Sequence, residues 1–272
     1  MKIYLIIFLI LLLPVQGFCN GINIDKNKKI ILLGEIHGTN EFPQFVYDYV
    51  KPLSNNKKSV HLLLEIPSDN QAKISHYLQQ NSSSYDTTNN IKNLTDSYFW
   101  QRKIQDGRSS KAMFNLIKNI KMFNKHAIHP ISINTFASAS ATGVKSTLSI
   151  DERYHQQVIE TLENTNNDIY VIYTGRIHAR KNFEIKPNQM SLASLLQHDY
   201  KISSYELIAD KGSFWACYLT PENKMDCGSK ELNTSNEKYH TYNKLLTDHI
   251  YSKYHDGYYH IETVTASRPF VD

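Results

Sequence analysis

The stretch Ile30-Ile31-Leu32-Leu33-Gly34-Glu35-Ile36-His37-Gly38-Thr39 decides the reading of this chain. Four consecutive apolar residues run into a glycine-bounded turn that carries a carboxylate and an imidazole. A short continuous apolar run is the pattern of a strand covered on both faces of a parallel sheet. The device returns far down the chain, where Ile169-Tyr170-Val171-Ile172-Tyr173 is followed, after Thr174, by Gly175-Arg176-Ile177-His178. Sites in open α/β sheets form at the carboxyl ends of the strands, so two Gly-x-x-His turns are expected to deliver two histidines to one place.

Outward from these motifs, the pattern predicts strands over Lys29 to Leu33, Ser59 to Ile66, Pro130 to Phe136 and Ile169 to Tyr173. Further strands are expected at Lys201 to Leu207, Ser213 to Leu219 and Tyr259 to Val264. Between them, Phe42, Phe45, Val46, Tyr49 and Val50 fall at helical spacing, with Thr39 or Asn40 as cap and Pro43 in the first turn. Helices are also predicted over Asn70 to Gln79, from Asp106-Gly107-Arg108-Ser109 onward, over Asp151 to Leu162, around Leu192 to Leu196 and over Glu237 to Tyr251. Asn81 to Asn93, rich in Ser, Asn and Thr, reads as a surface loop. The fold class is therefore α/β: a central, mostly parallel sheet flanked by helices, with antiparallel strands toward the C-terminus.

The chain of 272 residues, 41% of them hydrophobic, is long enough for one sizeable core. A net charge of +4 with 21% charged residues, and no basic stripe with interleaved aromatics, argues against nucleic acid as a partner. Lys2 followed by the apolar run Ile3 to Leu13, Pro14 and the small residues Gly17 and Cys19 reads as a signal peptide over residues 1–19. Residues 20–272 then form a single domain, secreted or periplasmic, with no transmembrane segment after cleavage. Export permits disulfides, and Cys217 and Cys227 flank a turn-rich loop that a bridge would close. That bridge contributes about 2–3 kcal/mol on the chain-entropy account.

The chemistry concentrates at the strand ends. Glu35 and His37 straddle Ile36 and point the same way on an extended chain, so the carboxylate orients the imidazole or shares a metal with it. Glu65 ends an otherwise apolar strand, where a carboxylate is costly unless paired, hydrogen-bonded or metal-bound. Arg108 is placed to clamp an anion or pair with Glu65, while Asp106 reads as a helix cap or an anion-site neighbour. His178 repeats the strand-end logic with Arg176 and Arg180 beside it. His126, His129 and His155 read as surface or structural residues, and His61 and Trp100 as core. The chain has no Gly-x-Ser-x-Gly elbow, no phosphate-binding P-loop and no His-Glu-x-x-His helix.

The ordered set Gly34-Glu35-Ile36-His37-Gly38-Thr39, Leu64-Glu65-Ile66-Pro67 and Gly175-Arg176-Ile177-His178 resembles the superfamily of erythromycin esterases, ChaN-like haem-uptake proteins and Tiki and TraB proteins. The resemblance spans roughly Ile30 to Arg180 and implies an α/β fold. Its Tiki branch implies a divalent metal held by His37, Glu65 and His178. Its esterase branch implies His37 as a general base with Glu35 and Glu65 in support, and its ChaN branch implies haem binding without turnover. The expectation is an exported hydrolase, esterase-like or metalloprotease-like, acting on a small-molecule or peptide substrate. Glu35, His37, Glu65, Arg108 and His178 carry its chemistry, Arg108 or Arg176 stabilising negative charge. Zinc, manganese or iron is the expected metal, with a haem- or iron-binding protein as the alternative.

Overall fold

A computed structural model describes residues 30–56, 58–80, 84–138, 146–165, 169–234, 242–247 and 253–271. The signal-peptide reading over residues 1–19 lies outside them. The four motif strands form as the apolar runs require: β1 (Ile30–Glu35), β2 (Val60–Pro67), β3 (Ser132–Ala137) and β4 (Ile169–Gly175). β1, β2 and β4 are buried along their whole lengths. They lie in one eight-stranded sheet with β7 (Ile202–Leu219), β8 (Met225–Asn233), β9 (Lys244–Leu246) and β10 (Gly257–Val264), in the order β3-β2-β4-β1-β7-β10-β9, with β8 paired to β7. β5 (Glu184–Lys186) and β6 (Gln189–Met190) form a separate small hairpin.

Every pair from β3 across to β10 is parallel, and the antiparallel pairs are β7 with β8 and β10 with β9. The expected class therefore holds. Helices cover both faces because the alternating strand side chains need apolar partners on each. α1 (Glu41–Asn55), α2 (Gln71–Gln79), α4 (Tyr98–Gln101) and α5 (Lys111–Asn124) pack over Ile31, Leu33, Leu62 and Val171. α6 (Ile150–Asn164) and α7 (Leu192–Asp199) pack over Ile30, Leu32, Leu63 and Ile172. Each fully buried Leu among these contributes about 1.5–3 kcal/mol.

Four local expectations change. Residues within the predicted loop Asn81 to Asn93 form α3 (Ser84–Thr95), whose apolar Leu94 is buried. The strands expected at Lys201 to Leu207 and Ser213 to Leu219 are one continuous strand, because β8 pairs its distal half from Lys211 to Leu219. The helix expected from Asp106 begins only at Lys111, capped by the Ser110 hydroxyl, which accepts the Met113 N–H. Of the helix expected over Glu237 to Tyr251, residues 237–241 and 248–251 are not described, and Lys244–Leu246 is a strand paired with β10. Cys217 and Cys227 sit opposite each other in the β7–β8 ladder and are joined by the expected disulfide. Among the described residues, no helix is long and apolar enough to cross a membrane.

Candidate active site

The parallel register brings the motifs together. β1 lies between β4 and β7, with Glu35 beside Gly175 and Gly34 beside Glu206, and β2 lies on the far side of β4. Gly175 is the floor: a Cβ there would lie 3.1 Å from His37 Nε2, 3.4 Å from His178 Cδ2 and 3.7 Å from Glu65 Oε2. Glu35, His37, Glu65, Arg108 and His178, the predicted site residues, thus lie in one cluster.

Glu65 is its hub. Its Oε1 accepts from Arg108 Nη1 at 3.0 Å and from the Tyr154 hydroxyl at 3.3 Å. Its Oε2 accepts from the Thr174 hydroxyl at 2.6 Å and the Gly175 N–H at 2.8 Å, with His37 Nε2 at 3.4 Å. Burial alone would raise the Glu65 pKa, but the charges of His37, Arg108 and His178 hold it well below the usual carboxylate range. Arg108 is itself anchored by Asp106, to which its Nε and Nη2 donate. Asp106 is no helix cap. It also accepts from Arg102 at 2.7 Å, and although burial opposes ionisation, the two arginines hold it down to about 2.

Both nitrogens of His37 face carboxylates. Nδ1 is 3.0 Å from Glu35 Oε1 and Nε2 faces Glu65. Burial would push its pKa down, yet the Glu65 charge and the two carboxylate contacts outweigh that and raise it to about 10. His37 is therefore an imidazolium at neutral pH. Glu35 is raised, because burial outweighs the pull of His37, and the buried Tyr173 ring lies on the same face beside it.

His178 is held differently. Its Nδ1 lies 2.8 and 3.0 Å from the two oxygens of Asp151, which also accepts the Leu192 N–H at 2.6 Å. Its Nε2 has no hydrogen-bond partner among the described residues. Burial lowers its pKa, but Asp151 and Glu65 outweigh that and raise it above the ordinary value. Asp151 is buried at the start of α6, where Ser149 and Glu152 form a capping box. Sequence reasoning missed Asp151 as a site residue, because an acid in a first helical turn reads as a partner of the helix dipole. Tyr154 and Thr174 were missed as well, since each sits within an apolar pattern that reads as core. The two imidazoles are about one-fifth exposed over nearly buried carboxylates.

The loops are locked by backbone contact. Gly38 has φ +84°, and a Cβ there would lie 2.2 Å from the Trp215 carbonyl oxygen. Gly107, at φ +91°, packs onto the Gly38 backbone and so brings Arg108 beside His37. Trp215 N–H donates to Gly38 O at 2.9 Å and its indole N–H to Gln105 O at 3.0 Å, tying both loops to β7.

These residues do not fit the divalent ion expected on His37, Glu65 and His178. Five donors already converge on Glu65, one of them an arginine cation, and both ring nitrogens of His37 are directed at carboxylates. Among the described residues, no group of three or more His, Cys, Asp or Glu side chains is disposed to hold a metal. Arg176 is exposed; its backbone N–H donates to Glu35 O at 2.8 Å.

The molecule is an α/β protein with a histidine–carboxylate cluster at the carboxyl ends of its parallel strands. No protein-family model matches the chain, and no curated protein matches it significantly. Solved structures share its fold. A Bacillus cereus protein superposes with a TM-score of 0.63 at 11% identity, over 89% of this chain and 90% of its own. A succinoglycan biosynthesis protein gives 0.63 at 11% identity, over 89% of each chain. An erythromycin esterase variant, EreC in its open conformation, gives 0.62 at 8% identity, over 90% of this chain and 93% of its own.

Proposed function

We propose that this protein is a metal-free hydrolase of carboxylic esters in which His178 is the general base and His37 a fixed cation. One observation carries the reading. His178 has one nitrogen bound to the buried Asp151 and the other uncommitted, above the same glycine as a charged His37. A base needs an unengaged nitrogen and an orienting partner, and His178 has both in its neutral form, with Nε2 uncommitted and Asp151 at Nδ1. His37 has neither nitrogen free and carries a proton at neutral pH, which suits it to stabilise negative charge. The fold is one that an erythromycin esterase also has, which is compatible with ester hydrolysis.

In this reading His178 Nε2 takes a proton from water as the water oxygen bonds to the ester carbonyl carbon. The carbonyl π electrons move onto the oxygen, and the His37 imidazolium faces that oxyanion. Collapse re-forms the carbonyl and breaks the bond to the alkoxide, which takes the proton back from His178. Ester and water become acid and alcohol. Arg108 and Tyr154 keep Glu65 anionic beneath His37. The disulfide suits a location outside the cytosol.

The test is hydrolysis of a panel of p-nitrophenyl esters with a chelator present. Turnover is expected to persist with chelator and to fall on the order of 10³-fold in His178→Ala. Turnover abolished by chelator and restored by zinc or manganese would return the metal reading, and no turnover of any ester would sink the esterase. A haem titration checks the other alternative: a Soret band lost on changing His37 or His178 would replace the hydrolase.

A further inference from the structure

Glu206 lies on β7 beside Gly34 of β1, level with the strand ends that build the site. Side chains alternate along a strand, and Tyr205 and Leu207 enter the core beneath α1 and α5. Glu206 therefore projects to the opposite face, the one covered by α6, which holds Asp151 against His178. The turn after His178 is tied to this strand, since the Ser204 hydroxyl donates to Ala179 O.

Glu206 is only 8% exposed and makes no hydrogen bond among the described residues. Among the described residues, the one cationisable group within ion-pair range is His255 Nε2, at 3.9 Å. Burial, then the charge of Arg180, pushes His255 down to about 4, so it is neutral. Burial raises the Glu206 pKa against the opposing pull of Arg176 and Arg180, and among the described residues neither arginine forms an ion pair with it. The Arg180 guanidinium lies over the rings of Phe183 and Tyr254, 4.9 and 5.4 Å from their centroids, and its Nε is buried without an acceptor. A nearly buried carboxyl without donors and a buried guanidinium N–H without an acceptor are each costly, and both lie by the turn that carries His178.

Hydrogen-bond pairing decides what would satisfy both. An anion meets the arginines but gives Glu206 no donor, an ammonium gives the Arg180 Nε no acceptor, and an apolar group satisfies neither. A neutral group that both donates and accepts meets every requirement, and vicinal hydroxyls do so with one pair donating to the carboxylate and accepting from guanidinium. We infer that Glu206, Arg176 and Arg180 form a subsite that binds the hydroxyls of a sugar-like, neutral polyol part of the substrate. This deepens the hydrolase reading and rests on it for the identity of the neighbouring site.

The experiment needs no turnover. Binding of methyl α-glucoside, methyl α-galactoside and methyl α-mannoside to the full chain is followed by saturation-transfer NMR and calorimetry. At least one is expected to bind, with affinity about tenfold weaker in Glu206→Ala. Arg176→Ala, at an exposed position that does not threaten folding, is expected to give a similar loss. Glu206→Gln, which keeps an acceptor, is expected to lose less. No binding by any glycoside, or equal binding by Glu206→Ala and Arg176→Ala, overturns the inference. Binding of acetate or phosphate that persists in Glu206→Ala marks an anion site and overturns it too. Ester turnover fails or succeeds separately, so the two readings are distinguished.

Discussion

The two Gly-x-x-His turns are built alike and behave differently. Each follows a fully buried strand, and each places its imidazole over Gly175. His37 lies between Glu35 and Glu65 and is held protonated to about pH 10. His178 has Asp151 at Nδ1 and, among the described residues, no hydrogen-bond partner at Nε2. Other elements bring one carboxylate to each ring, Glu65 to His37 and Asp151 to His178. What separates them is the residue two before each histidine, Glu35 in one motif and Arg176 in the other, because a ring with both nitrogens engaged cannot act as a base. A repeated motif thus yields one ring with both nitrogens on carboxylates and one with a single nitrogen so held, which under the proposed function are a cation and a base.

Several substitutions would break or sharpen that contrast. The largest effect is expected from His178→Ala, on the order of 10³-fold in kcat. Equal loss from His37→Ala, with an acid limb assigned to His37, would reverse the roles. His37→Gln is expected to lose on the order of 10²-fold in kcat through the missing cation. It should also remove the alkaline limb of the pH–rate profile. In the unaltered protein that limb falls near pH 10 as His37 loses its proton, while the acid limb lies above an ordinary histidine value, since His178 must be neutral to act and its pKa is raised.

Asp151→Asn tests the positioning role. Rate loss on the order of 10²-fold is expected, because an amide favours the wrong tautomer. Asp151 raises the His178 pKa, so its removal should move the acid limb to lower pH. An unmoved acid limb would mean Asp151 only supports the fold. The smallest effect is expected from Gly175→Ala. The new methyl group meets His37 Nε2 at 3.1 Å and must displace it by a few tenths of an ångström. About tenfold loss of activity is expected, with little change in thermal unfolding. Activity unchanged would show that the spacing of the two rings is not critical.

Much of this site was legible because strand ends announce themselves. Glu65 stands out after Leu62-Leu63-Leu64, and an acid there demands partners, of which Arg108 was foreseeable. Asp151, Tyr154 and Thr174 were not, since each satisfies a local pattern of cap, helix face or strand that hides its second use. Glu206 is hidden in the same way, within a strand whose neighbours are apolar.

The apolar runs by themselves determined the parallel sheet, its helical layers and the turns that carry both histidines, because buried strands must be apolar on both faces and turns need glycine. The cysteine spacing likewise determined the β7–β8 bridge. Only the tertiary structure decided which strands became neighbours, how many donors reach Glu65 and which histidine keeps a free nitrogen. The physical reason is that protonation and lone-pair availability depend on charges a few ångströms away in space, and those charges come from segments far apart along the chain.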